Sequence, residues 1–317
     1  MTADPMAVRV TGLRKQFPGV VAVEDLSFRV APGEIFGLVG PDGAGKTTTL
    51  RILAGVLPPD GGTAVVAGHD VAREPERVKH AISYMPQRFG LYEDLTVAEN
   101  LRFYADLFGV GRKDFLERAE RLLGASGMSE FRKRLAGKLS GGMKQKLGLS
   151  CALIHHPQVL LLDEPTTGVD PVSRRDFWRI LYSLLAEGVT ILTSTAYLDE
   201  AERCHRLVLM HEGRALACDT PARLKQRLTG AVIGVVTPDP RGVRRALEGA
   251  EGIEAAVLTG DGVHLVVDSA DRLAAVRARL AQAGVPFAET REVTPTIEDL
   301  FVASVEGKVE LGEERAR

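Results

Sequence analysis

The chain has 317 residues, 45% of them hydrophobic and 26% charged, with Lys+Arg 40 against Asp+Glu 42 for a formal charge of -2. At roughly 150 residues per domain this is about two globular domains, and the charge balance excludes a strongly basic nucleic-acid surface. No apolar run approaches the roughly 18 residues needed to span a bilayer, and Met1-Thr-Ala-Asp-Pro5 lacks the basic-then-apolar order of a secretory leader.

Val8 to Val30 reads as two strands about a Pro18-Gly19 turn. Ile35–Val39 is a buried-strand run that enters the glycine cluster Gly40-Pro-Asp-Gly-Ala-Gly-Lys46, and Thr47–Ala54 reads as a helix. A strand is expected at Ala64–Ala67 and another before Pro86-Gln87. Residues 92–137 read as mostly helical, with Leu95, Val97, Leu101, Tyr104 and Leu107 as the apolar stripe. A strand at Val159–Leu162, a helix at Ser173–Leu185 and strands at Val189–Thr193 and Leu207–Met210 complete an alternating, mostly parallel α/β pattern. Thr220-Pro221 opens a short helix that ends at Gly230. Beyond it come strand 232–236, helix 241–247, strand 253–258, a Gly260-Asp261-Gly262 turn, strand 263–267, helix 270–283 and strand 285–293. That β-α-β-β-α-β order is the split βαβ of a ferredoxin-like domain. An amphipathic piece at 296–305 and a charged, frayed tail follow.

Three cysteines, Cys151, Cys204 and Cys218, are odd in number and without CxxC spacing, which argues against a disulfide framework or zinc site and fits a reducing compartment. Cys151 with His155 could be drawn as a metal pair, but reduced, partly buried side chains are the better reading.

The chemistry sits in the glycines. Gly40, Pro41, Asp42, Gly43, Ala44, Gly45, Lys46 and Thr47 match G-x-x-x-x-G-K-[ST] between a strand and a helix. Glycines let backbone N–H groups turn toward phosphate, the helix N-terminus adds positive potential, Lys46 reaches the β- and γ-phosphates and the Thr47 hydroxyl ligates Mg2+. Thr48 continues the same turn. The run Val159-Leu-Leu-Leu-Asp163-Glu164 places Asp163 at the C-terminal edge of the sheet to hold Mg2+ through water. Glu164 follows it as the group that orients or deprotonates an attacking water. Gln87 is placed to reach both metal and water. Leu139-Ser-Gly-Gly-Met-Lys-Gln145 opens a helix with Ser140, Gly141 and Gly142, a second anion-binding terminus. One nucleotide does not need two such termini from one subunit, so a second copy docked head to tail is expected to complete the site.

Together these motifs resemble the ATP-binding subunit of an ABC transporter over residues 7 to about 225. Gly40–Thr47 resembles the Walker A, Val159–Glu164 the Walker B, Gln87 the Q-loop, and Leu139–Gln145 the LSGGQ signature, with Met143 and Lys144-Gln145 as variation. Gly168-Val169-Asp170 resembles the D-loop, and Phe17 falls where the family stacks an aromatic on adenine, although a plain core phenylalanine fits nearly as well. The resemblance implies a P-loop NTPase cassette over 7–229 with a helical subdomain at about 88–138, a C-terminal ferredoxin-like accessory domain over 230–305, and a flexible tail at 306–317. It further implies ATP and Mg2+ as cofactors, a catalytic pair of Glu164 and Gln87, and metal contacts from Thr47, Gln87 and Asp163. Ser140, Gly141, Gly142 and Gln145 are implied to meet the partner's ATP, with Asp170 between the subunits. Membrane-spanning permease subunits and a second cassette, identical or different, are the implied partners, with the chain peripheral on the cytoplasmic face of the cell membrane.

One departure matters. Aligned on the Asp199-Glu200-Ala201 that follows, the position of the family's γ-phosphate histidine is Ala196, and His205 lies too far along to replace it. Three readings stand open: slow hydrolysis beside a histidine-bearing partner, near-normal turnover on Glu164 and Gln87, or binding without hydrolysis, which the intact Glu164 argues against. Asp42, where asparagine is usual, is expected to cap the loop rather than do chemistry. Ser194-Thr195-Ala196-Tyr197 and the Pro-Asp-Gly loop are similar to the YbhF-type branch of exporter cassettes, and Thr294–Phe301 to daunorubicin-type exporters. That likeness implies export of a hydrophobic or cationic compound. A soluble ABC-type regulatory or assembly ATPase without a permease is the alternative.

Overall fold

The computed structural model describes residues 6–305 and divides them into two compact units. The first runs to Ala196 and takes in Met210–Ala215; the second comprises Tyr197–Leu209 and the residues from Leu216 onward. The tail expected at 306–317 lies outside the described residues.

In the first unit, strands β1 (Val8–Phe17) and β2 (Val20–Val30) form an antiparallel pair. Strand β3 (Ile35–Val39) is buried at every position and feeds the phosphate-loop sequence into helix α1 (Lys46–Leu53). Strands β4 (Gly61–Val66) and β5 (His69–Asp70) extend the first sheet to the order β2-β1-β4-β5. Helix α2 (Pro75–Ala81) leads into strand β6 (Ile82–Met85). Helices α3 (Val97–Leu107) and α4 (Arg112–Ala125) follow, with 3-10 turns at Ser129–Phe131 and Ala136–Lys138. Helix α5 (Gly141–Leu153), strand β7 (Val159–Asp163), helix α6 (Pro171–Ala186) and strand β8 (Thr190–Thr195) complete the unit.

Strands β3, β8, β7 and β6 lie side by side and parallel in that order. β3 and β7 are near-continuous apolar runs, as burial on both faces of a parallel sheet requires, while β8, buried throughout as well, carries the hydroxyls of Thr190, Thr193, Ser194 and Thr195. Phe28 and Phe36 stack with centroids 5.1 Å apart, and Trp178 and Phe177 of α6 are fully buried. The expected stripe on α3 needs correction: Val97, Leu101 and Ala105 are buried, Leu107 is exposed, and the fourth inward residue is Asn100. Asn100 is tolerated because its Nδ2 donates to the carbonyls of Tyr92 and Thr96 while its Oδ1 accepts from Tyr92 N. Cys151 is buried, its thiol pushed up by desolvation. His155 stacks on Phe108 at 3.7 Å with Nε2 3.0 Å from Ile82 O, and burial lowers its pKa.

After β8 come a single helical turn α7 (Leu198–Ala201), strands β9 (Arg206–His211) and β10 (Arg214–Asp219), and helix α8 (Pro221–Gln226). His205 therefore stands beyond α7, on the approach to β9 rather than on a helix. Strand β10 is absent from the sequence-based expectation. It exists because Glu212 (φ 48) and Gly213 (φ 79) both take positive φ, the geometry of a two-residue hairpin turn.

The second unit holds β11 (Ala231–Val236), α9 (Pro240–Leu247), β12 (Ile253–Leu258), β13 (Gly262–Val267), α10 (Arg272–Gln282), β14 (Glu289–Val293) and α11 (Ile297–Val305). Its antiparallel sheet runs β12-β13-β11-β14, the ferredoxin-like arrangement. Ile233, Val235, Val263, Leu265 and Val267 form a core with Val243 and Leu247 of α9 and Val276 and Leu280 of α10. Residues 285–288 are not strand, contrary to expectation. Pro286 has no N–H to give a ladder, and pairing starts only where Ala288 N donates to Val236 O at 2.8 Å. Helix α11 lies against β12 and β13 and against α7 and α8. That contact draws the stretches 197–209 and 216–229 into this unit, so the compact units do not part at residue 229.

Candidate active site

The loop 40–47 owes its close packing to Gly40 and Gly45, where a side chain would collide with backbone. A Cβ on Gly45 (φ 95) meets Ala22 O at 2.3 Å, and one on Gly40 meets Met210 O at 2.2 Å. Gly45 is also the N-cap of α1 and gives the helix no side-chain cap, so the first-turn N–H groups stay available to an anion. Ala44 N closes the loop on Pro41 O at 3.2 Å, while Asp42 and Gly43 stand exposed at its tip. The closure is thus made by backbone rather than by the Asp42 carboxylate.

Lys46 is almost fully buried and donates to Gly40 O at 2.8 Å and Pro41 O at 2.9 Å. Its Nζ also lies 3.1 Å from Glu164 Oε1. The other carboxylate oxygen of Glu164 accepts from Gln87 Nε2 at 3.1 Å and Thr167 Oγ1 at 3.3 Å. Glu164 takes φ 48, a left-handed conformation that costs about 1–3 kcal/mol outside glycine and gathers at functional sites. The parallel ladder brings β7 beside the loop, and Asp163 ends it with 1% exposure. Asp163 Oδ1 accepts from Thr47 Oγ1 at 2.9 Å and Ser194 Oγ at 2.8 Å, and its Oδ2 from Tyr84 OH at 3.2 Å. Burial, then the Asp163 charge, pushes Tyr84 up to about 12, so its hydroxyl keeps the proton it donates.

Thr47 and Asp163 together offer a hydroxyl and a carboxylate, and Gln87 carries an amide oxygen. These are the hard oxygen donors that Mg2+ prefers, and with the open helix terminus they suit a magnesium nucleotide.

The remaining sequence-predicted residues fall elsewhere on the unit. Ser140 N-caps α5, accepting from Met143 N at 3.3 Å, with Gly141 exposed beside it. Gly142 is buried against the start of α6: a Cβ there meets Ser173 Oγ at 2.6 Å. Asp170 caps α6 through Val172 N at 3.1 Å and Ser173 N at 2.9 Å; hydrogen bonds from Ser173, its side chain first, hold the carboxyl below its ordinary range. Gln145 stands one turn into α5 with Oε1 buried and without a hydrogen-bond partner among the described residues, so the terminus itself presents Ser140 and Gly141. Phe17 ends β1 at 39% exposure, with Lys15 Nζ 5.7 Å from its ring centroid. Ala196 is exposed just past β8.

Sequence reasoning missed Tyr84, Ser194 and Thr167. The signal for Ser194 was its place on β8 opposite Asp163, readable only once the two parallel strands are set in register.

Comparison with known proteins agrees with this geometry. The family described as ABC transporter matches residues 23–167. The probable multidrug ABC transporter ATP-binding protein YbhF of Escherichia coli (strain K12) is 44% identical over 300 residues, 93% of this chain and 51% of that protein. The chain thus spans about half the length of that relative. The daunorubicin resistance ATP-binding protein DrrA2 of Streptomyces coeruleorubidus is 38% identical over 305 residues, 94% of this chain and 95% of that one. Among solved structures, the ATP-binding subunit of an ABC transporter superposes with a TM-score of 0.64 at 32% identity, covering 70% of this chain and 92% of the other. With motif order, fold and near full-length similarity in agreement, the chain belongs to the ATP-binding proteins of the ABC transporter family.

Proposed function

We propose that the chain is the ATP-hydrolysing subunit of an exporter, coupling ATP binding and hydrolysis to movement of a drug-like compound through separate membrane-spanning subunits. The observation that carries this reading is the meeting of Lys46, Glu164 and Gln87 beside the Thr47–Asp163 pair. The loop amides and Lys46 take the phosphates; Thr47, Asp163 and Gln87 hold Mg2+, which when bound neutralises phosphate charge. Glu164 orients and deprotonates the attacking water, and Gln87 fixes its carboxylate. Phe17 stacks on the adenine. Ser140, Gly141 and Gly142 cover the nucleotide of a second cassette, identical or different, and Asp170 sits between the two.

The export direction and drug class rest on the printed names of the relatives, which speak of multidrug transport and daunorubicin resistance. No described helix is long and apolar enough to cross a membrane. From its likeness to transporter ATP-binding proteins, the reading places the chain on the cytoplasmic face, docked on a permease. Residues 7–229 serve as the motor and 230–305 as an accessory domain. Ala196 gives no hydrogen bond to a γ-phosphate, and slow turnover beside a histidine-bearing partner site follows from it.

Purification in mild detergent with the membrane protein encoded beside this gene tests the reading. Joint recovery with ATPase activity that Glu164→Gln abolishes supports it. An active ATPase recovered without any membrane partner favours the soluble alternative.

A further inference from the structure

The functional motifs leave the buried hydroxyl of Ser194 without a role. Ser194 sits directly opposite Asp163 in the parallel pairing of β7 and β8, with no exposure to solvent. Its Oγ donates to Asp163 Oδ1 at 2.8 Å and accepts from the backbone N–H of Glu164 at 3.0 Å. A serine hydroxyl has one proton and two lone pairs, so one side chain serves both neighbours.

The two bonds act on different problems. Asp163 Oδ1 is the same oxygen that accepts from Thr47, so Ser194 fixes the rotamer that keeps the carboxylate against the phosphate-loop threonine. Glu164 lies in the left-handed region at φ 48, which a non-glycine residue leaves unless its surroundings hold it there. The bond from its N–H to Ser194 is a hold made at the strained residue itself. Ser194→Ala would remove both restraints and leave the Glu164 N–H without this partner.

We propose that Ser194 is a positioning residue for ATP hydrolysis: one hydroxyl locks the metal-holding carboxylate of Asp163 and the backbone of the base Glu164 into a single geometry. The inference rests on the ATPase reading above. It assigns a task to β8 at the strand end where Ala196 stands in place of the usual histidine, and it predicts coupling of metal affinity to turnover through a residue that touches neither metal nor nucleotide.

The test compares wild type with Ser194→Ala, Ser194→Cys and Ser194→Thr in the full chain. Melting temperature reports folding, a fluorescent ATP analogue in EDTA reports metal-free nucleotide binding, and Mn2+ titration of the nucleotide complex by electron paramagnetic resonance reports the metal. Groups that orient metal ligands typically contribute about 10–100-fold to metal affinity or activity. Ser194→Ala is therefore expected to weaken Mn2+ binding and lower kcat by about that factor, with metal-free nucleotide affinity and KM changed less than about threefold. Ser194→Thr keeps the hydroxyl and is expected to restore both. Ser194→Cys keeps the volume with a poor donor and is expected to behave like alanine, which carries the test if the alanine variant does not fold. Wild-type Mn2+ affinity and kcat in the alanine or cysteine variant overturn the proposal, as does a folded threonine variant as impaired as alanine. A wild-type chain that binds no nucleotide overturns instead the ATPase reading on which it stands.

Discussion

Lys46 Nζ lies 3.1 Å from Glu164 Oε1, joining the phosphate-loop lysine to the carboxylate at the end of β7. Lys46 is buried and Glu164 nearly so, at 4% and 11% side-chain exposure, and Lys46 makes its other bonds to the loop carbonyls of Gly40 and Pro41. The two residues should therefore separate cleanly by role. Glu164→Gln is expected to leave ATP affinity near wild type and to cut turnover by about 10²–10⁴, the range of a lost general base. Lys46→Ala is expected to weaken ATP binding by about 10–150-fold, the loss of a charge-assisted hydrogen bond of roughly 1.5–3 kcal/mol. Equilibrium binding and steady-state turnover on the same preparations check both, and an equal loss of affinity in the two variants would contradict the division.

Ala196 defines the second expectation. Ala196→His offers a donor at the exposed end of β8 and is expected to raise turnover by about tenfold, in line with a hydrogen bond to a charged group. Unchanged turnover would remove the idea of an impaired site and leave Glu164 and Gln87 as sufficient.

Gly45 and Gly43 separate strain from collision. Both take positive φ, but a Cβ at 45 meets Ala22 O at 2.3 Å while one at 43 meets nothing within 4 Å. Gly43→Ala is expected to cost only the backbone term of about 1–3 kcal/mol. Gly45→Ala should cost more and abolish nucleotide binding. Urea denaturation gives the stability order, and Gly43→Ala equal to or worse than Gly45→Ala would be the wrong outcome.

The second unit carries a pH dependence. His264 Nδ1 meets both carboxylate oxygens of Asp299, at 3.2 and 3.1 Å, and Thr296 N and Oγ1 donate to the same carboxylate, each at 2.8 Å. The hydrogen bond to Asp299 raises the His264 pKa above 6.5 against the opposing effect of burial, with Asp299, Asp261 and Glu298 adding charge. A raised folded-state pKa means that this stabilisation is complete below 6.5 and is lost as pH rises through the higher folded value. Burial, then the Asp299 and Asp199 charges, also raises Glu298, whose contribution has the same sign but begins its decline near 4.5. Melting temperature is thus expected to fall from pH 6 to pH 9, and His264→Gln to flatten that fall while costing about 1–3 kcal/mol at pH 6. Glu298→Gln should leave the upper window intact; a flat wild-type profile above pH 6.5 would refute the assignment.

The phosphate loop, β3, β7 and the split βαβ order were legible in the sequence because each is written locally. Continuous apolar runs mark strands buried on both faces, and a hydroxyl or glycine at a helix start marks its terminus. Boundaries failed where one bond decided them: Pro286 delayed β14, and the Glu212-Gly213 turn made β10 without a strong signal. Periodicity alone puts Leu107 on the inward stripe because it cannot tell which side of a helix end meets the core, whereas Asn100 is buried through hydrogen bonds to the backbone of Tyr92 and Thr96 in the turn just before its helix.

What the sequence by itself determined is the class of chemistry, since glycine, lysine, threonine and paired acids at fixed spacings suit the phosphates of a nucleotide. What only the tertiary structure decided is which groups meet. Strand register set Ser194 against Asp163, helix docking pressed Gly142 onto Ser173, and loop closure brought Lys46 to Glu164. Such contacts join residues far apart along the chain. Their geometry is imposed by packing and ladder register, which no local spacing encodes.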